Sequence, residues 1–427
     1  MSDMKKISLL VGALMLLCIG ASAQDKAKED ALLASDVYYS YGYNDVIRMD
    51  EVTPLTKAPK GYEPVYIAHY GRHGSRYAWN RKTYEWIDNV LSDALAKDNL
   101  TDFGKDLQAA YKPFAEFCQQ HTGELTRKGW DQHRAIAHHM YAGNKALFKK
   151  NPKIEAASSS SPRAMMSMAG FCAGLKECNP KLDLWAQMSP VYFSDCIPEA
   201  SVGGDKIGPQ DALPKEHKDE VGAFYERTVD TDGILARIFK DVDAASYEGK
   251  KTSFLFELYT AYIGLRSLDF PVEFPTLFSP EEYLAMYKYD CANMYRESAN
   301  AMTYASIIRR LVESADEALA ADRPSVKLRF GHDYVLNQYV ALAGVGTFGR
   351  EIPSVEEAYL YYPVRRIPMG ANVQFIFYKS GKTDEVLVKV LLDCSESTLP
   401  VEPVEGPYYR WSDYRAWLEE NVISKIK

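Results

Sequence analysis

Three nearly continuous apolar stretches, each closing on a polar turn and each followed by a helical period, organise the chain. The first runs from about Pro64 to Tyr70 (Pro-Val-Tyr-Ile-Ala-His-Tyr) and suits a strand covered on both faces. It ends in Gly71-Arg72-His73-Gly74-Ser75-Arg76, where two glycines let the backbone turn sharply and approach a ligand, and a helical pattern follows from about Arg81 to Ala96. The second runs from Ile154 to Ala157 into Ser158-Ser159-Ser160-Ser161-Pro162-Arg163. Ser161 is placed to cap a helix with Pro162 at its first position, so Arg163 falls in the first turn of a helix reaching about Leu175. The third runs from Val326 to Gly331, then His332-Asp333, then a helical pattern from Tyr334 to about Ala343.

Between the second and third junctions lie about 150 residues without comparable strand signals. There Ser279-Pro280-Glu281-Glu282 is a capping-box start for a helix to about Arg296, and 299–321 continues in helical style. Beyond it, Asn372 to Tyr378 and Glu385 to Leu392 read as strands joined by Ser380-Gly381-Lys382-Thr383. The expected fold is α/β: a mixed, mostly parallel sheet flanked by helices, with a helical cap domain inserted. Its parts are a core over 30–184 and 321–427 and a mainly helical insertion over 185–320. Ligands of open α/β sheets bind beyond the carboxyl ends of the strands, so the three polar turns converge if their strands are neighbours.

The composition narrows the class. A length of 427 residues suits two domains or one core with a large insertion, and 47% hydrophobic with 25% charged residues excludes a disordered chain, a collagen-like repeat or a coiled-coil rod. A net charge of −8, from 50 basic and 58 acidic side chains, argues against a nucleic-acid partner, which needs a broad basic face. At the start, Lys5 and Lys6 precede an apolar run from Ile7 to Gly20 and the small-residue site Ala21-Ser22-Ala23, so 1–23 reads as a cleaved signal peptide. About 14 apolar residues fall short of the roughly 20 that span a bilayer, so the expectation is a periplasmic or secreted protein with no stable membrane insertion once the leader is removed. Six cysteines remain (Cys118, Cys172, Cys178, Cys196, Cys291, Cys394), compatible with up to three disulfides or with buried thiols, and their spacing fits neither a CxxC pair nor a zinc site. No feature sets an oligomeric state.

Arg72-His73-Gly74-Ser75-Arg76 is the motif that carries chemistry. It places an imidazole between two guanidiniums on a glycine-flexed turn. Guanidiniums present planar donor pairs that match phosphate oxygens, and a neutral imidazole nitrogen is a competent nucleophile toward phosphorus. Arg163, near a helix N-terminus whose amides favour anions, completes a clamp.

With Arg163 in its Ser-Ser-Ser-Ser-Pro-Arg context and His332-Asp333 following in order, the chain resembles the histidine acid phosphatases, the branch of the histidine phosphatase superfamily that includes phytases and multiple inositol polyphosphate phosphatases. The resemblance spans most of the mature chain. It implies an α/β core with a helical cap and catalysis with no metal and no cofactor. Carried over, His73 would attack the phosphate and become a phosphohistidine while Arg72, Arg76 and Arg163 hold the equatorial oxygens. His332 would add a hydrogen bond, and Asp333 would protonate the departing alkoxide. An ordinary Asp titrates near 3.9, so this acid needs a raised pKa or an acidic medium, and an acidic optimum is expected.

Two positions depart from the pattern. Ala78 stands where many relatives have proline, and the third junction reads His332-Asp333-Tyr334, as in acid phosphatases and bacterial phytases, rather than the His-Ala-Glu common in the inositol polyphosphate phosphatases. Arg81 and Lys82 could reach further phosphates or form a solvated helix face, and Arg365 and Arg366 are similar. His69 reads as a strand-end residue near the site, and His133, His138 and His139 as surface or packing residues. The expected function is an exported phosphomonoesterase acting on a small-molecule phosphate ester, with inositol polyphosphates such as phytate favoured. The alternatives are a generalist acid phosphatase, a catalytically inactive phosphate-ligand binding protein of the same fold, or a mutase-like phosphotransferase.

Overall fold

The structure, a computed structural model, describes residues 25–78, 80–188, 195–198, 215–299 and 301–426. The leader expected over 1–23 lies outside the described residues. Among the described residues nine strands form one sheet: β1 (Tyr62–Arg72), β2 (Lys153–Ser158), β3 (Asp183–Gln187), β4 (Ser325–Gly331), β5 (Asn372–Ser380), β6 (Val386–Leu392), β7 (Ser395–Glu396), β8 (Pro403–Glu405) and β9 (Tyr408–Arg410). Their order is β3-β2-β4-β1-β5-β6-β9-β8, with β7 on β6. The sheet is mixed, as expected: β3, β2, β4 and β1 pair in parallel, and the strands beyond β1 pair antiparallel.

The register is what assembles a site. In the parallel half Arg72 stands opposite Gly331, and Ser158 opposite Phe330, so β1, β4 and β2 end level. The backbone carries the alignment one residue further, with His73 N–H donating to the Gly331 carbonyl at 3.0 Å and Ser159 N–H to the Phe330 carbonyl at 2.9 Å. The three turns singled out in the sequence are therefore neighbours at one sheet edge.

Helices cover both faces. On one, α3 (Arg127–Gly143) and α4 (Pro162–Cys178) enclose Ile67, Ile136, Phe171, Val326, Leu328 and Phe330. On the other, α6 (Pro280–Ser298), α7 (Ser306–Ala320), α8 (Asp333–Leu342) and α9 (Trp411–Asn421) pack on Tyr66, Ala68 and Tyr70. Ile67 and its neighbours Tyr66 and Ala68 join different clusters because successive strand residues point to opposite faces. Each such apolar side chain contributes roughly 1.5–3 kcal/mol when fully buried. A third cluster joins α1 (Arg81–Ala96) and α2 (Asp102–Gln120) to α5 (Lys251–Gly264) through Tyr111, Phe114, Phe254 and Leu258. The helical lobe thus draws on two separate stretches of chain, while α7, inside 185–320, packs on the sheet. The capping box at Ser279–Glu282 is formed. Ser161 occupies the cap position of α4 without a side-chain capping bond. All six cysteines are free, five of them buried, so the buried-thiol alternative is the one realised. Among the described residues no helix is long and apolar enough to cross a membrane.

The site loop is seated by a backbone-to-backbone approach. A Cβ on Gly74 would lie 2.5 Å from the Gly129 carbonyl oxygen, and one on Gly129 would lie 2.4 Å from the Ser75 carbonyl oxygen. Backbone cannot yield as a side chain can, so Gly129→Ala is expected to cost about 1–3 kcal/mol, read as a lower urea midpoint. Gly222→Ala, on an exposed helix face with nothing within 4 Å, is the control and is expected to be neutral or slightly stabilising. An unchanged midpoint for Gly129→Ala would contradict the seating.

Candidate active site

Arg72 ends β1 and is 1% exposed. Its Nη1 donates to the carbonyls of Tyr43 (2.7 Å) and Ile367 (2.6 Å), and its Nη2 to Asp333 Oδ2 (2.6 Å). Three contacts from three parts of the chain hold this guanidinium in one place, and the residue's own N–H donates to the Ala371 carbonyl at 2.8 Å.

His73 follows, also 1% exposed. Its Nδ1 lies 2.9 Å from the Gly74 carbonyl, which can only accept, so Nδ1 carries the proton and Nε2 keeps its lone pair. Burial, and then the charges of Arg76, Arg72 and Arg163, hold the imidazole well below the usual histidine range. The turn that carries it is fixed from behind. Gly74 N–H donates to the Ser167 hydroxyl (3.0 Å), which donates to the Arg163 carbonyl (2.7 Å), and Ser75 N–H donates to Gln132 Oε1 (2.8 Å). Ser167 lies one turn beyond Arg163 on α4, and Gln132 faces the loop from α3.

Arg76 donates to the Tyr77 carbonyl at 3.1 Å, and burial, with Asp333 opposing it, brings its guanidinium down to about 10, still a cation in acid and neutral solution. Arg163 Nη2 stands 3.4 Å from His332 Nδ1. A guanidinium only donates, so Nδ1 of His332 accepts there and its Nε2–H faces the Ser159 hydroxyl at 3.0 Å. His332 is stacked on Tyr334 with ring centroids 5.4 Å apart, and its N–H donates to the Tyr70 hydroxyl. Burial, and secondarily Arg163, lower it to about 4. The His73 and His332 rings meet edge to face at 5.7 Å. Each of the three guanidiniums, Arg72, Arg76 and Arg163, keeps a buried Nε without a hydrogen-bond partner. Unsatisfied charged donors are costly to bury, and an oxyanion among them would satisfy all three.

Asp333 opens α8, with Oδ1 accepting from Tyr334 N–H at 2.9 Å and Oδ2 on Arg72. Burial pushes its carboxyl up, but Arg72 and Arg76 outweigh that, and the net result lies below the ordinary carboxylate range. Of the two routes to a proton-donating Asp333, a raised pKa is therefore not what the surrounding charges provide, which leaves an acidic medium or neutralisation of those charges.

Arg81 and Lys82 lie outside this cluster, on the exposed first turn of α1, with Arg81 paired to Glu85 at 2.5 Å. Arg365 is held by Glu29, and Arg366 Nε lies 3.6 Å from Asp393 Oδ2. Among the described residues no set of three or more His, Cys, Asp or Glu side chains converges to hold a metal ion. Sequence reasoning left out Ser159, Ser167, Gln132 and Tyr43. Ser167, one helical turn from Arg163, was the most accessible of them from spacing.

No family model matches the chain, and no curated protein matches it. Solved structures do. The multiple inositol polyphosphate phosphatase of Bifidobacterium longum, in its apo form, is 18% identical with a TM-score of 0.71, over 91% of this chain and 99% of that one. Its complex with inositol hexasulfate gives a TM-score of 0.68 at 18% identity, over 91% and 98%. The phytase from D. castellii is 14% identical with a TM-score of 0.65, over 90% of this chain and 85% of that one. The chain shares the fold of these inositol polyphosphate phosphatases and phytases, a mixed sheet flanked by helices.

Beneath the site, His69 and His133 pack on Phe330 with ring centroids 5.2 and 5.7 Å away, and both are buried. His133 is thus a core residue, and burial lowers both histidines to about 3. Unfolded, each titrates near 6.5, so only the unfolded chain gains protons as pH falls from there toward 3. Their stability contribution is complete above 6.5 and is lost on acidification, by about 2 kcal/mol per histidine at pH 5. His133→Leu is expected to reduce the drop in unfolding free energy between pH 7 and pH 5 by about that amount; an unchanged drop would contradict the assignment.

Proposed function

We propose that the protein, which shares the fold of the histidine acid phosphatases, hydrolyses phosphate monoesters through a phosphohistidine at His73. The observation that carries this reading is the state of that imidazole: buried, neutral, tied at Nδ1 to the Gly74 carbonyl, and surrounded by Arg72, Arg76 and Arg163, whose free donors suit phosphoryl oxygens.

The chemistry follows from the geometry. The Nε2 lone pair of His73 attacks phosphorus while the guanidiniums hold the equatorial oxygens and take up the charge that spreads over them. The ester P–O bond breaks, and its electron pair leaves with an alkoxide that takes the Asp333 proton. The resulting carboxylate then removes a proton from water as the water oxygen attacks phosphorus and the N–P bond breaks, returning neutral His73 and protonated Asp333. A dianionic phosphate between Arg72 and Arg76 offsets the cations that hold Asp333 down, so substrate binding itself raises the acid toward its working range. His332, whose ring meets that of His73 edge to face, serves the phosphoryl group as a donor by turning its Nε2–H from the Ser159 hydroxyl to a phosphoryl oxygen.

The favoured substrate class is inositol polyphosphates such as phytate, which the fold's likeness to the phytases and inositol polyphosphate phosphatases supports. Arg81 and Lys82 are available on the exposed helix start for outlying phosphates. Export belongs to the same proposal and is supported by the leader pattern over 1–23.

Single-turnover mixing with a phosphate ester, quenched in alkali, is expected to leave acid-labile phosphate on the chain, absent in His73→Ala; equal labelling of both would remove the nucleophile assignment. Asp333→Asn is expected to slow alkyl phosphates by about 10²–10⁴-fold and para-nitrophenyl phosphate, whose leaving group needs no proton, far less. Equal losses on both substrates would remove Asp333 from the acid role. For alkyl phosphates kcat/KM is expected to fall as pH rises through neutrality, and a continuing rise would contradict the mechanism.

A further inference from the structure

Arg76 also lines a second space, a cavity of about 50 Å3 between the site loop and the helical lobe. α5 contributes Glu257 and Thr260 to its wall, α1 contributes Thr83 and Tyr84, and α2 contributes Tyr111. Arg76 is the only basic side chain in that wall among the described residues. One polar atom there is buried without a partner and unclaimed by the phosphate position, the hydroxyl of the fully buried Tyr111, while the unpaired Nε of Arg76 belongs to the phosphate clamp. The Glu257 carboxyl is pushed up by burial.

This donor and acceptor set matches one kind of group. A hydroxyl can give its proton to the carboxyl and take one from the phenol, so it satisfies both sides of the pocket. A phosphate in the same place would meet a carboxylate and gain only one cation, already shared with the scissile phosphate. Sites whose buried polar groups pair with a substrate hydroxyl discriminate strongly against analogues that leave them unpaired.

We propose that this cavity is a specificity subsite for a hydroxyl of the leaving alcohol adjacent to the scissile phosphate, with Glu257 setting the preference for hydroxyl over a second phosphate. The inference rests on the phosphatase reading and narrows it. Phytate remains a substrate, and its partly dephosphorylated products, which carry free hydroxyls beside a phosphate, are better ones.

The test compares kcat/KM for phytate and for a myo-inositol trisphosphate with hydroxyls beside a phosphate, at about pH 6.5, above the ordinary carboxyl range. The wild type is expected to favour the trisphosphate. Glu257→Gln, equal in size but without the charge, is expected to move the ratio toward phytate by about tenfold or more. Tyr111→Phe, which removes only the unpaired hydroxyl, is expected to lower the trisphosphate selectively by about threefold to tenfold and serves if the first variant misfolds. A ratio within about twofold of wild type in the folded variants overturns the subsite, as does an equal loss on both substrates, which marks a structural role. Wild-type turnover of para-nitrophenyl phosphate judges the underlying reading: its absence overturns the phosphatase and the subsite together, whereas normal turnover with an unmoved ratio overturns the subsite alone.

Discussion

Placing one desolvated imidazole within reach of three guanidiniums is the constraint on which the rest of this structure depends. Burial and three like-signed neighbours both oppose the imidazolium, so His73 stays neutral where an ordinary histidine would be charged. The same cations repel one another, and among the described residues only the carboxyl of Asp333 is paired with them directly. The fold offsets that repulsion with backbone: the carbonyls of Tyr43, Ile367 and Tyr77 accept from Arg72 and Arg76, and the sheet register prevents the cluster from spreading. What is left unsatisfied is one Nε on each arginine, and that unmet charge is what suits the cluster to an oxyanion.

From this constraint the local architecture can be traced outward. Level strand ends bring His73, Ser159 and His332 together, and the close contact of Gly74 with Gly129 seats the loop against α3. Ser167 and Gln132 then tie its amides to α4 and α3, so both helices behind the sheet take part in aiming one imidazole. Asp333 answers to the same cations. Its affinity for a proton follows how far Arg72 and Arg76 are neutralised, which in the proposed mechanism couples the acid to substrate binding.

Much of this was legible in the sequence. The three junctions stood out because apolar runs of strand length broke off at glycines or serines beside arginine and histidine, and β1, β2, β4, α4 and α8 fall where those patterns place them. Their adjacency was only conditional, since strand pairing is a long-range property that a linear pattern does not contain. The edge strand β3 escaped notice because it is short and mostly solvent-facing, with Trp185 64% exposed, so it carries no buried alternation. The partners of α1 and α2 were equally hidden, because an amphipathic helix declares an apolar face and not what covers it. His133 was readable in principle: with Gly129, Ile136, Ala137 and Met140 it completes the buried stripe of α3. The depressed Asp333 carboxyl was not readable, since the cations that hold it come from β1 and the loop after it, over 250 residues away in the chain.

The central claim concerns the protonation of one ring, and nitrogen NMR of histidine-labelled protein reads it directly. The account predicts that the His73 signals remain those of a neutral imidazole protonated at Nδ1 from neutral pH down to about pH 5, with Nε2 unprotonated. An imidazolium at His73 at that pH, or a proton resident on Nε2, would contradict it.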